Sequence, residues 1–125
     1  MPVATDTALL DRWHDMLSAH ARAYGALERA LKPHGLGVSE FEVLERLAER
    51  SKDQRRMQEL AEDLPLSQSG LSRVVARLEK DGLAERDLCK HDRRGIFVCI
   101  TEAGRERYER ARPDHRAALA EALAS

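Results

Sequence analysis

The residues between Ser67 and Leu78 are arranged for hydrogen bonding and charge contact rather than for making or breaking bonds. At 3.6 residues per turn, Leu71, Val74, Val75 and Leu78 fall at i, i+3, i+4 and i+7 and form one inward stripe. Gln68, Ser69, Ser72, Arg73, Ala76 and Arg77 fall on the opposite face. Such a face suits a polyanion with readable edges. A glutamine can pair with adenine through two hydrogen bonds, and an arginine with guanine, so Gln68 and Arg73 are candidate base readers in a major groove. Ser69, Gly70 and Ser72 are small enough to let the helix backbone approach closely. Arg77, farther from the helix N-terminus, is placed for a phosphate. A lone helix with two arginines would read more simply as a solvated surface. The absence of any Asp or Glu from 67 to 78, in a chain with 22 of them in 125 residues, favours a binding face.

A second basic cluster, Cys89-Lys90-His91-Asp92-Arg93-Arg94-Gly95, lies between two segments with strand character. A guanidinium from Arg93 or Arg94 at the tip of a narrow hairpin, with Lys90 beside it, can enter a minor groove, where negative potential rises as the groove narrows. Asp92 fits such a tip as an orienting group, pairing with Arg94 or capping backbone N–H groups. The plainer reading is a charged turn that protects a strand edge. Lys52, Arg55 and Arg56, just before a short helix, are candidate phosphate contacts.

Other chemistry finds little support. There is no phosphate loop, no GxSxG and no paired-cysteine motif, so neither catalysis nor a cofactor is expected. His14, His20, His34, His91 and His115 show no compact ligand spacing, and no metal is expected. His20 falls in an apolar stripe and reads as a satisfied polar group at a helix interface rather than a ligand. Cys89 sits among Lys90, His91 and Arg93, a setting that lowers a thiol pKa, although an incidental cysteine is the default. Pairing residue 89 with 96 would set Cys99 opposite Arg86, away from Cys89, which disfavours an internal disulfide.

The elements that must position these groups are mostly helical. The chain is rich in Leu, Ala, Glu and Arg, 34% charged and 4% aromatic, so its core is aliphatic. Leu10, Trp13, Leu17, His20, Tyr24, Leu27 and Leu31 alternate by three and four along a helix from about 6 to 32, a pattern that suits packing on another helix or a second subunit. Trp13 and Tyr24 read as core. A second helix is predicted from Ser39 as N-cap with Glu42 completing a capping box. Ser51 to Arg56 reads as a polar connection, followed by a short helix from Met57 to Leu64. A turn at Pro65-Leu66 leads to a helix capped by Ser67 and stopped by Gly82. Leu83–Leu88 and Ile96–Ile100 read as a hairpin, and Thr101 caps a last helix that Pro113 interrupts. Net charge is −1, but residues 67–101 carry 7 Lys/Arg against 5 Asp/Glu while residues 1–66 carry 9 against 12. A positive middle inside an acidic chain supplies a local footprint for an anion. No apolar run is long enough to span a membrane, and the first residues lack a signal-peptide pattern, so a reducing, cytoplasmic setting is expected.

Two short helices, a tight turn and a basic hairpin make a winged helix-turn-helix. The stretch from Leu66 to Leu83 resembles the recognition helix of the MarR (multiple antibiotic resistance regulator) family. Asp92-Arg93-Arg94-Gly95 followed by Ile100-Thr101-Glu102-Ala103-Gly104 resembles that family's wing and the start of its next helix. The resemblance implies a homodimer with interlocking terminal helices, a pseudo-palindromic operator in double-stranded DNA, and often a small-molecule, metal or oxidant inducer. It also implies that Ser69, Ser72, Arg73 and Arg77 face DNA, with Arg94 in the minor groove and Asp92 positioning it. Pro65 stands in the turn where the family often has Gly, and the family pattern continues into a further dimerisation helix beyond Pro113. The expectation is one domain over 1–125, mainly α with a small β-hairpin wing. Dimerisation helices are expected at 6–32 and 102–125, using Leu10, Trp13, Leu17, Leu119 and Leu123, around a DNA-binding lobe at 39–101. Its expected role is an effector-responsive, sequence-specific transcriptional regulator, the effector's identity being unknown. The alternative is a winged-helix module whose arginines meet an acidic protein partner without reading DNA sequence.

Overall fold

The computed structural model describes residues 5–49, 54–88 and 96–124. Helix α1 spans Asp6–Leu31 and starts at Thr5, whose side chain accepts from the Ala8 N–H at 3.1 Å. A 3-10 turn over Lys32–His34 contains Pro33 and ends on Gly35 at φ 70, which an L side chain adopts poorly. Helix α2 is Val38–Ala48, strand β1 Gln54–Arg56, helix α3 Met57–Asp63 and helix α4 Gln68–Lys80. Strand β2 is Ala84–Leu88, strand β3 Ile96–Ile100 and helix α5 Glu102–Leu123. The sheet is antiparallel in the order β1-β3-β2. Among the described residues no helix is long and apolar enough to cross a membrane.

Several local expectations give way to tertiary packing. Helix α2 begins after Gly37, not Ser39, and the Gly37 N–H donates to Glu40 Oε1 at 3.2 Å. Both registers offer a glutamate three residues on, and the earlier start wins because it places Val38 and Phe41 inside the core. Strand β1 replaces the predicted polar connection. Gln54-Arg55-Arg56 has no apolar alternation, so only its pairing with β3 orders it, with Arg55 opposite Val98. The hairpin register pairs Leu88 with Ile96, which sets Glu85, not Arg86, opposite Cys99.

Helix α5 runs unbroken through Pro113, against the expected interruption. The turns on either side are fastened elsewhere, which offsets the lost backbone bond. Arg107 Nη1 donates to the His34 carbonyl at 3.0 Å, and His34 Nε2 meets Asp114 Oδ2 at 2.7 Å. Tyr108 donates to Glu45 Oε1 at 3.1 Å, and Arg116 pairs with the same oxygen. His115 is buried and stacks on Phe41 with centroids 4.2 Å apart. Burial, then the neighbouring Arg116 charge, pushes its pKa below the usual imidazole value.

The core is aliphatic as expected. Leu31, Leu44, Leu47, Leu60, Leu71, Val75, Leu78 and Val98 are fully buried around Phe41. In contrast, α1 buries only Leu27 and Leu31. Trp13 and Tyr24, predicted as core, are exposed at 53% and 39%: Trp13 lies in the stretch 6–18 of α1, which is exposed throughout, and Tyr24 faces solvent in the half of α1 that buries Leu27 and Leu31.

A close approach joins the sheet to α5. Thr101 Oγ1 donates to the Gly82 carbonyl at 2.7 Å and accepts from the Gly104 N–H at 3.0 Å. The Thr101 N–H donates to the Leu83 carbonyl at 3.1 Å. That same carbonyl oxygen would lie 2.1 Å from a Cβ placed on Gly104. Gly104→Ala is therefore expected to destabilise the protein by about 1–3 kcal/mol through overpacking. Urea unfolding measures this, and an unchanged midpoint would show that the two backbones separate freely.

Candidate nucleic-acid interface

Helix α4 is held in one rotation by its apolar side. Leu71, Val74, Val75 and Leu78 are at most 4% exposed, and burying each contributes roughly 1.5–3 kcal/mol, so turning the helix is costly. At its start the Ser67 hydroxyl accepts from the Gly70 N–H at 3.0 Å. Leu64, the residue before Pro65, is extended at φ −116, ψ 148, the conformation that a following proline favours, which separates α3 from α4. Gln68, Ser69, Arg73, Ala76 and Arg77 face solvent, and Ser72 is half-buried. Every residue predicted for this face therefore lies on it. Arg73 makes no ion pair among the described residues. Arg77 Nε lies 3.8 Å from Glu40 Oε1, tethering it toward α2 while leaving it 59% exposed.

Arg56, Gln68 and Ser72 come together. They line one open cleft of about 350 Å³ with Met57, Gln58, Arg86 and Ile96, where the starts of α3 and α4 meet the sheet. The Arg56 guanidinium stands 5.4 Å from the centroid of Phe97, an aromatic face that fixes its direction. Lys90, Asp92, Arg93 and Arg94 lie outside the described residues, as do Lys52, Cys89 and His91.

Arg55 is the exception among the predicted phosphate contacts. It is 6% exposed, and its Nη2 donates to Asp63 Oδ2 at 2.7 Å while Nε donates to Glu59 Oε2 at 3.4 Å. Burial alone would lower its pKa, but the Asp63 and Glu59 carboxylates outweigh this and raise it. Its sequence position beside Arg56 carried no sign of the difference, because strand alternation sends neighbours to opposite faces and the strand itself was not legible. Arg86 went unnoticed as well. Its Nη2 donates to the Ser72 carbonyl at 2.9 Å and lies 3.5 Å from Ser72 Oγ, while Nε is 2.7 Å from Glu79 Oε1.

His20, exposed in α1, has its ring 5.9 Å from that of Tyr24, and among the described residues no cluster of His, Cys, Asp or Glu could hold a metal ion. At the far end of the molecule Leu10 and Leu17 stand 54% and 46% exposed on the Trp13 side of α1, and Leu123 is exposed at the end of α5. Leu119 is half-buried against the protomer's own core.

Arg55→Ala is expected to cost about 1–3 kcal/mol of stability, the loss of charge-assisted hydrogen bonds from a buried group. It should leave the salt dependence of DNA binding unchanged. A salt slope that falls by about one, with stability intact, would instead make Arg55 a phosphate contact.

Comparison with known proteins agrees with this geometry. The sequence profile of the MarR family matches residues 34–95. The HTH-type transcriptional regulator MhqR of Bacillus subtilis is 32% identical over 82% of this chain and 72% of its own length. AbsC and Sco3205, MarR family transcriptional regulators from Streptomyces coelicolor, each superpose with a TM-score of 0.87 at 33% identity. AbsC is matched over 99% of this chain and 83% of its own, and Sco3205, solved in complex with DNA, over 98% and 77%. CouR from Rhodococcus jostii, solved with p-coumaroyl-CoA, superposes at a TM-score of 0.72 and 28% identity, over 94% of this chain and 76% of its own. With its helix-turn-helix, its three-stranded sheet and these matches, the chain belongs to the MarR family of winged helix-turn-helix transcriptional regulators.

Proposed function

We propose that this chain regulates transcription in the cytoplasm as a homodimer that reads double-stranded DNA through α4. The observation that carries the reading is the rotation of α4, which buries its four apolar residues and turns Gln68, Ser69, Arg73 and Arg77 outward with no acidic residue among them. Gln68, Ser69, Ser72 and Arg73 supply base contacts in the major groove, while Arg77 and Arg56 supply phosphate contacts. Lys90, Arg93 and Arg94 of the wing meet the adjacent minor groove, with Asp92 orienting them. The DNA complex of Sco3205 supports this over docking to an acidic protein.

The dimer reading rests on α1 and α5, which pack along each other and leave Leu10, Trp13, Leu17 and Leu123 uncovered. Leu119 on α5, half-buried against the protomer's own core, is the further residue proposed for that interface. Two α4 helices related by a two-fold axis would sit about 34 Å apart, matching half-sites centred about 10 bp apart in a pseudo-palindromic operator. A small molecule is the proposed effector, supported by the p-coumaroyl-CoA bound to CouR.

Fluorescence anisotropy on operator fragments selected from a genomic pool tests the DNA reading. The wild type should prefer its operator over a scrambled duplex by about 10³-fold or more. Arg73→Ala should cost about 1–3 kcal/mol on the operator and relax base preference at one position. Equal losses on operator and scrambled DNA would remove Arg73 from base reading. For the dimer, Trp13→Glu should give a monomer in sedimentation at micromolar concentration. An undisturbed dimer would place the interface elsewhere.

A further inference from the structure

We infer that Arg86 is a positioning residue for DNA reading, locking α4 to the wing strand β2 so that both approach DNA as one unit. The inference rests on the DNA reading proposed above and adds a residue that does not itself lie on the reading face. Arg86 stands opposite Val98 in the sheet, so its side chain leaves on the helix-facing side, where Val98 is fully buried. From there one guanidinium makes two contacts on α4, about two turns apart. Nη2 donates to the Ser72 carbonyl at 2.9 Å, and the Glu79 carboxylate, 2.7 Å from the buried Nε, pairs with the guanidinium by charge, without a hydrogen bond from Nε.

The first anchor sits under the reading face. Ser72 lines the cleft shared with Gln68 and Arg56, and its neighbour Arg73 faces solvent. The second anchor lies near the helix C-terminus. Two contacts along one helix add to the hold of the apolar stripe on its rotation and its slide relative to β2. β2 continues into residues 89–95, the segment that carries Lys90, Arg93 and Arg94. Arg86 thereby fixes the reading helix relative to the strand from which the chain enters that segment. Base reading tolerates misplacement of only about 0.5 Å, so loosening this contact costs discrimination before it costs affinity for DNA in general.

The test compares wild type with Arg86→Lys, Arg86→Ala and Glu79→Gln by anisotropy on operator and scrambled duplexes across a salt series. Circular dichroism confirms that each variant is folded. We expect both Arg86 variants to lower the operator-to-scrambled ratio about tenfold or more, with the affinity for scrambled DNA and the salt slope unchanged. Lysine keeps the charge but lacks the planar fork, so it should not rescue. Glu79→Gln, which leaves every DNA-facing residue in place and serves even if Arg86→Ala does not fold, should move the ratio in the same direction.

A salt slope reduced by about one, with equal losses on both duplexes and rescue by lysine, would make Arg86 a phosphate contact and overturn the inference. Unchanged ratios in folded Arg86→Lys and Glu79→Gln would overturn it too. A wild type that binds operator and scrambled DNA alike would fail the DNA reading and remove the inference with it, an outcome distinct from the other two.

Discussion

One row of side chains across the sheet holds the DNA-facing half of the molecule together. Arg55 on β1, Val98 on β3 and Arg86 on β2 stand opposite one another and share the helix-facing side. Val98 in the middle is fully buried and joins the aliphatic core, while each arginine reaches a different helix. Arg55 grips the carboxylates of α3, and Arg86 grips the Ser72 carbonyl and Glu79 of α4. A small sheet whose inner face carries two cations would be unstable alone. Here each charge meets partners on a helix that needs orienting, so the cost of drawing guanidinium groups out of water is offset by fixing the helix-turn-helix.

The second constraint is backbone to backbone. Gly82, at φ 75, turns the chain from α4 into the sheet, and Gly104 lets the first turn of α5 rest on the Leu83 carbonyl. Thr101 bridges both points with its single hydroxyl. The ends of α4, β2, β3 and α5 thus converge within a few residues, and the position of the sheet relative to α5 follows from steric contact rather than from side-chain packing alone.

Most of this architecture was legible in the sequence where periodicity and cap chemistry agree. α4 shows both, with its apolar spacing, Ser67 ahead of it and Gly82 behind, and Gln68, Ser69, Arg73, Ala76 and Arg77 of its predicted polar face are exposed while Ser72 is half-buried. What stayed illegible was whatever depends on a partner distant in the chain. β1 is polar throughout and exists only because β3 lies beside it. Arg55 and Arg56 look alike in sequence, yet one is buried against Asp63 and the other lies over Phe97. Pro113 signals a break that the fastenings of Arg107, Asp114 and Arg116 override. Trp13 and Tyr24 share the spacing of core residues, and the spacing carries no record of which molecule would cover them.

The continuity of α5 has a mechanical consequence. Its 22 residues form a rod about 33 Å long, anchored to the sheet at Thr101 and lying along α1 at the other end. Pro113 sits near its middle and donates no backbone bond to the Glu109 carbonyl, so the helix's own ladder is weakest there and the shared contact of Tyr108 and Arg116 with Glu45 carries the joint. From that point to Glu102 is about 16 Å, and a bend of only about 4° swings the sheet end by about 1 Å. In the proposed dimer, the separation of the two α4 helices is therefore governed by the straightness of two such rods, a compliance that one proline places halfway between the subunit contact and the DNA.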